Sequence, residues 1–114
     1  MTEKVLGHHL AAFGAGDVAD IMSDYTSDSV LITPGGALRG LDQIRPLFEG
    51  LVAEFGKPGA SFTMGTQIIE GDIAYIVWSA ETADNVYEVA TDTFVVRDGK
   101  IHRQTFAGKI TSKK

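Results

Sequence analysis

The second half of the chain carries four strand-like runs separated by three short turns, and this constrains the fold more than any other feature. The runs cover residues 60–69, 73–82, 86–96 and 101–110 and are rich in β-branched and aromatic side chains. The turns are Glu70-Gly71-Asp72, Ala83-Asp84-Asn85 and Arg97-Asp98-Gly99-Lys100, the last with the Asp-Gly pair favoured in tight hairpins. Strands joined this closely pair antiparallel, because a parallel crossover needs a longer connection. The run from residue 60 onward therefore reads as a meander.

The first half reads as helices. Leu6, Leu10 and Phe13 share one face, flanked by Val5 and His9. At 100° per residue His9 points near that face and His8 away from it. Gly14 and Gly16 end this helix, and Asp17 is a good N-cap for a short second one through Ile21 and Met22, ending near Tyr25. Residues 29–33 read as a short strand turned back by Pro34-Gly35-Gly36. A third helix begins near Asp42, with Ile44, Leu47, Phe48, Leu51, Val52 and Phe55 as its stripe. Pro46 fits only its first turn, and Gly56 with Pro58-Gly59 stops it. Helices first and strands after imply an α+β layer with the helices on one face of the sheet.

Both faces of that sheet look apolar. Strand period two puts Asp92 with Ala90, Phe94 and Val96, opposite Val89, Thr91, Thr93 and Val95. The helices can cover one face only, so the other is expected to meet a second copy of the chain, making a homodimer. Asp92 itself is out of place, since aspartate is depleted in strands and costly to bury as an ion. It must be solvated, paired, or lining a ligand cavity.

At 114 residues one domain spanning 1–114 is expected, long enough for a core without staples. A net charge of −5 and no clustered basic face argue against nucleic acid or an anionic membrane as partner. The basic residues Lys109, Lys113 and Lys114 read as a solvated tail. With no cysteine there is neither a disulfide framework nor thiol chemistry. No signal-like or membrane-spanning run appears, so the expected location is cytoplasmic.

The run Leu10-Ala11-Ala12-Phe13-Gly14-Ala15-Gly16-Asp17-Val18, followed by Tyr25-Thr26-Ser27-Asp28-Ser29-Val30, resembles the start of the nuclear transport factor 2-like superfamily. That group includes ketosteroid isomerases and SnoaL-like polyketide cyclases. Gly40-Leu41-Asp42-Gln43-Ile44-Arg45, Thr91-Asp92-Thr93-Phe94 and Arg97-Asp98-Gly99-Lys100-Ile101 extend the likeness over nearly the whole chain. The resemblance implies a cone-shaped, curved antiparallel sheet packed on three N-terminal helices (a cystatin-like roll) around an apolar pocket. Ketosteroid isomerases use an aspartate base, with a tyrosine and a protonated aspartate as oxyanion hole. By resemblance Asp92 matches the protonated aspartate, His9 the tyrosine and Thr33 the base. Threonine cannot take a proton at neutral pH, so the isomerase mechanism in its usual form is not expected. The Asp-Arg-Asp set of the limonene epoxide hydrolase branch lacks its central arginine, because Arg103 alternates away from Gln104 and Phe106.

The candidate catalytic pair is therefore Asp92 with His9, a carboxylate that would hold an imidazole's tautomer for proton transfer in an isomerase, cyclase or dehydratase type of reaction. The plain alternative is a half-solvated His9 and an Asp92 bonded to a hydroxyl or water. Gln104 is a candidate for orienting a ligand oxygen, or an ordinary core amide. Tyr25 either reaches the pocket mouth or closes the helix–sheet seam. Of Trp78 and Tyr75, which have opposite parity, only one can face the pocket. Thr33, Trp78, Phe48 and Phe106 complete the candidate ligand-binding set, with a small apolar molecule as ligand. No metal is expected: His8 and His9 diverge, and His102 is read as distant and outward. No cofactor is implied. The alternatives to an enzyme are a non-catalytic small-molecule binder and a dimeric interaction module.

Overall fold

The sheet is six-stranded, with residues 36–39, 30–33, 100–112, 85–97, 73–81 and 61–70 side by side in that order, and three helices pack on its inner face. The computed structural model describes residues 1–114. The elements are α1 (Thr2–Ala15), α2 (Val18–Met22), β1 (Val30–Thr33), β2 (Gly36–Arg39), α3 (Leu41–Phe55), β3 (Ser61–Glu70), β4 (Ile73–Glu81), β5 (Asn85–Arg97) and β6 (Lys100–Ser112). This is the expected α+β arrangement of helices on a curved, unclosed sheet.

Local chemistry sets the boundaries. Gly16 takes the left-handed conformation at φ 69° and closes α1, its N–H reaching the carbonyls of Ala12 and Phe13. The Asp17 side chain accepts from the Asp20 N–H and caps α2. Asp98 and Gly99 both have positive φ, the backbone shape of a two-residue hairpin turn whose twist matches its strands. The β3–β4–β5–β6 meander follows the sequence reading.

Two features go beyond that reading. The segment after Pro34 is a strand, β2, paired antiparallel with β1. β1 also pairs parallel with β6, in the register Val30–Arg103 to Ile32–Thr105. Parallel pairing joins strands far apart in sequence, so no local turn signal announces it.

Register shifts bend the sheet. Irregularities fall between Met64 and Thr66, Trp78 and Ala80, Tyr87 and Val89, and Val95 and Val96. Such bulges sharpen local twist and curl a strand. They also reset parity. His102 is the extra residue opposite Val95 and Val96, so Ile101 and Gln104, three apart, are both buried while His102 lies partly exposed between them. On β4 the buried face is Ala74, Ile76 and Ala80 with Trp78 partly buried, and Tyr75 faces out. That settles the Trp78–Tyr75 alternative.

The core lies between the sheet and the helices. Leu6, Ile21, Leu31, Ile44 and Ile101 are its most deeply buried large side chains. It fills the end of the layer near the β5–β6 turn and the start of α1. Toward the other end the curled sheet and the helices part and leave a hollow.

Candidate functional site

The hollow is a cavity of about 520 Å³ lined mainly by apolar side chains. α1 supplies His9, Leu10 and Phe13, and α3 supplies Leu47, Phe48, Leu51 and Phe55. The sheet supplies Leu31 and Thr33 from β1, Ile76 and Trp78 from β4, Asp92 and Phe94 from β5, and Gln104 and Phe106 from β6. A concave, mainly apolar site with a few convergent polar groups is the usual form of a small-molecule pocket.

Asp92 is 7% exposed and sits on the cavity wall. The Trp78 indole N–H donates to its Oδ2 at 2.9 Å, and the Gln104 amide donates to Oδ1 at 3.0 Å. Gln104 is aligned in turn by Tyr25, whose hydroxyl donates to Oε1. Burial, then the charges of Asp92 and Asp24, holds the Tyr25 hydroxyl well above its ordinary pKa, so Tyr25 remains a donor. With Tyr25 donating to Oε1, the Gln104 N–H₂ is turned toward Asp92. Burial raises the Asp92 pKa, and the hydrogen bonds from Trp78 and Gln104 and the nearby His9 oppose that rise. The result is a carboxylate held by two donors in an apolar wall, with lone pairs left for a ligand.

His9 is 5% exposed and lines the cavity from α1. Its ring is packed edge-on by Tyr25, Phe48 and Phe94 at centroid distances of 5.9, 5.6 and 5.5 Å. Asp92 and His9 make no direct hydrogen bond with each other. Asp92 is bonded to Trp78 and Gln104, and the His9 ring instead faces Asp24, with Nδ1 at 3.6 Å from Oδ2. The reason is that each group has other company: Trp78 and Gln104 hold both Asp92 oxygens, and the His9 ring packs on Phe94 with Nδ1 turned toward Asp24. Those Asp24 and His9 atoms have no other partner and are sealed from solvent. Leaving a buried polar atom unpaired costs about 1–3 kcal/mol, which favours a slight closure of this gap.

The other candidates separate cleanly. Thr33, Trp78, Phe48 and Phe106 line the cavity, as does Gln104. Thr33 uses its hydroxyl within its own turn, accepting from the Gly35 N–H at 3.1 Å. Tyr25 does not line the cavity; it stands behind Gln104 at the seam between α2 and the sheet. Sequence reasoning missed Asp24, which is 6% exposed. Asp24 lies two residues past the end of α2, where helical spacing no longer applies, so no periodic signal singled it out. Glu54 and Tyr87 were also missed. Glu54 accepts from the Thr82 hydroxyl, the Asn85 amide and the Tyr87 hydroxyl at 2.7, 2.9 and 2.9 Å.

A curved, unclosed sheet wrapped on helices around an apolar hollow defines the nuclear transport factor 2-like class. Residues 6–104 match the family described as the SnoaL-like domain, and the chain belongs to that family. No curated protein matches the sequence. Among solved structures the chain is similar to the epoxide hydrolase/cyclase-like enzyme SalBIII, described in pyran ring formation in the polyether salinomycin. The two share 16% identity over 97% of this chain and 95% of that one, with a TM-score of 0.82. It is also similar to a candidate ketosteroid isomerase from Kribbella flavida (14% identity, 99% and 81% coverage, TM-score 0.77). A candidate polyketide cyclase from Sinorhizobium meliloti follows (17% identity, 90% and 93% coverage, TM-score 0.70). At these identities the likeness concerns the fold.

Proposed function

We propose that the chain binds a small, largely apolar molecule in the cavity and acts on it by acid/base chemistry, in an isomerase, cyclase or dehydratase type of reaction. Asp92 on the sheet and His9 on α1 are the reacting groups, lining one cavity without a direct hydrogen bond between them. One observation carries the reading: a buried carboxylate with a raised pKa lines an apolar cavity and is held in place by Trp78 and Gln104. A raised pKa brings a carboxyl group nearer to neutrality, where it exchanges protons most usefully. Gln104 and Trp78 orient Asp92, Thr33 sits on the wall near the Pro34 turn, and Phe48 and Phe106 supply apolar contact. Tyr25 acts through Gln104.

The test uses 2-naphthol, a flat apolar molecule with one hydroxyl able to donate to Asp92. Trp78 is the only tryptophan, so its indole N–H resonance is a single reporter bonded to that carboxylate. Addition of 2-naphthol is expected to shift this resonance saturably, with affinity reduced about tenfold or more in Asp92→Asn. Equal affinity in the variant would remove Asp92 from the site and leave a non-catalytic apolar binder.

The rest of the proposal concerns assembly and setting. The chain is one SnoaL-like unit over 1–114, without a cofactor, and acts in the cytoplasm. It pairs as a homodimer through the outer sheet face, where Ile32, Ile68, Tyr75 and Val89 are 47%, 53%, 37% and 45% exposed. Exposed apolar side chains gathered on one sheet face favour a protein partner. A concentration-independent monomer mass by sedimentation equilibrium would count against the dimer. No helix is long and apolar enough to cross a membrane.

A further inference from the structure

We infer that Asp24 is the positioning residue of His9: it keeps the ring's Nδ1–H turned toward its carboxylate and the Nε2 lone pair turned into the cavity, while His8 holds the other oxygen of that carboxylate at the protein surface. This deepens the acid/base reading of the cavity and rests on it for its functional meaning, although its geometry stands alone.

Asp24 is fixed by its backbone. Its N–H donates to the Ile21 carbonyl at 3.1 Å, and its own carbonyl accepts from the Ile101 N–H at 2.7 Å. The side chain is thereby aimed at α1, where two successive histidines meet its two oxygens. His8 Nδ1 lies 2.7 Å from Oδ1, and His9 Nδ1 lies 3.6 Å from Oδ2. A carboxylate only accepts, so the charge of Asp24 at 3.6 Å favours the proton on the His9 nitrogen that faces it. In the neutral ring the lone pair then falls on Nε2, the nitrogen of this cavity-lining side chain left free for a guest. An imidazole in that tautomer can take a proton from a molecule in the cavity through Nε2.

His8 adds a link to solvent. Its Nδ1 faces Asp24 and its Nε2 faces Asp20 at 3.0 Å, so with both nitrogens donating the ring is an imidazolium. Its pKa is raised, first by the hydrogen bond and charge of Asp24 and then by Asp20. Other polar groups face the cluster as well. The β5–β6 turn brings Lys100, whose ammonium donates to the Ser23 carbonyl beside Asp24. β5 brings Asp92 to the same cavity, Tyr25 packs on His9, and α3 presents the Phe48 ring. As pH rises through the raised His8 midpoint, His8 loses its proton and its claim on the Asp24 charge weakens. That charge then falls more fully on the His9 Nδ1–H. Two imidazoles share one carboxylate, and the exposed one reports the pH to the buried one.

The test reads the rings themselves. The full chain is labelled with ¹⁵N in its histidine rings and followed by long-range proton–nitrogen correlation between about pH 5 and 9, the range in which imidazoles titrate. The wild type is expected to show neutral His9 as the Nδ1–H tautomer, with its nitrogen shifts inflecting at the His8 midpoint. In Asp24→Ala the His9 ring is expected to lose that single tautomer, and the His8 midpoint to fall toward the ordinary imidazole value. In His8→Gln the His9 tautomer is kept and the inflection disappears. An Nε2–H tautomer in the wild type, or an unchanged His9 tautomer in Asp24→Ala, would overturn the inference. If Asp24→Ala does not fold, the wild-type tautomer and the His8→Gln inflection decide it. These signatures together with a Trp78 resonance that ignores 2-naphthol would keep the positioning role and discard the cavity chemistry. A responsive Trp78 with the wrong tautomer would do the reverse.

Discussion

Two carboxylates, one on a helix and one on the sheet it covers, have been put to different uses. Glu54, on α3, receives the Thr82 hydroxyl, the Asn85 amide and the Tyr87 hydroxyl, and the Tyr87 hydroxyl lies within reach of both of its oxygens. Tyr87 is thereby kept protonated, by its burial first and by Glu54 next. Glu54 clips the β4–β5 turn to α3 and does not line the cavity. Asp92 receives two donors, is more deeply buried, and lines the cavity. A carboxylate saturated by its own protein is a fastener. One with fewer donors than lone pairs, facing an apolar hollow, remains chemically available and costs stability to keep there.

The contrast predicts opposite orders for stability and for binding. The largest stability loss is expected from Glu54→Ala, which strips the common acceptor from three donors, by about 3 kcal/mol in urea unfolding. The affinity for 2-naphthol should change little. A loss below about 1 kcal/mol would show that these donors are served equally by water and that the fastener reading is wrong. Gln104→Leu comes next, at about 2 kcal/mol, because it takes a donor from Asp92 and the acceptor from the buried Tyr25 hydroxyl.

Asp92→Asn is expected to move stability at neutral pH by no more than about 1 kcal/mol, in either direction, while weakening binding most. Its pH signature sharpens the comparison. Because the folded-state pKa of Asp92 is raised, the folded chain holds this proton longer than the unfolded chain. The Asp92 contribution to stability therefore declines as pH rises from the ordinary carboxyl value, about 3.9, and levels off above the raised folded value. Urea unfolding of wild type minus variant should show that decline and its plateau. A rising difference over the same window would mean that the hydrogen bonds from Trp78 and Gln104 outweigh burial.

The smallest effect belongs to the surface end of the Asp24 cluster. The folded-state pKa of His8 is raised, so its stabilising contribution is fully present below the ordinary imidazole value and is lost as pH rises through the raised folded value. The wild-type advantage over His8→Gln in urea unfolding should fade in that window. An advantage that grows with pH would place the proton elsewhere.

Particular residues show how far the site was legible beforehand. Asp92 was readable because an acidic residue interrupts a regular two-residue alternation, and its strand is regular from Ala90 to Val96. His9 was readable from helical spacing alone. Parity was weaker on β6, where the extra residue at His102 shifts which side chains turn inward. Asp24 was not read, since its meaning comes from α1 lying against it. Glu54 and Tyr87, 33 positions apart, meet only after α3 lies across the sheet.

What the sequence alone determined is local: helix before sheet, a four-strand meander set by short turns, and which side of a regular strand each residue occupies. These follow from short-range sterics and from the alternation of side chains along an extended chain. Only the tertiary structure decided the parallel pairing of β1 with β6, the bulges that curl the sheet away from the helices, and the hollow this leaves. It alone decided that His9 answers to Asp24 and Asp92 to Trp78 and Gln104. Hydrogen-bond partners of buried polar groups are chosen by distance in space, and burial makes that choice strict, because a polar atom sealed from water has no other partner to turn to.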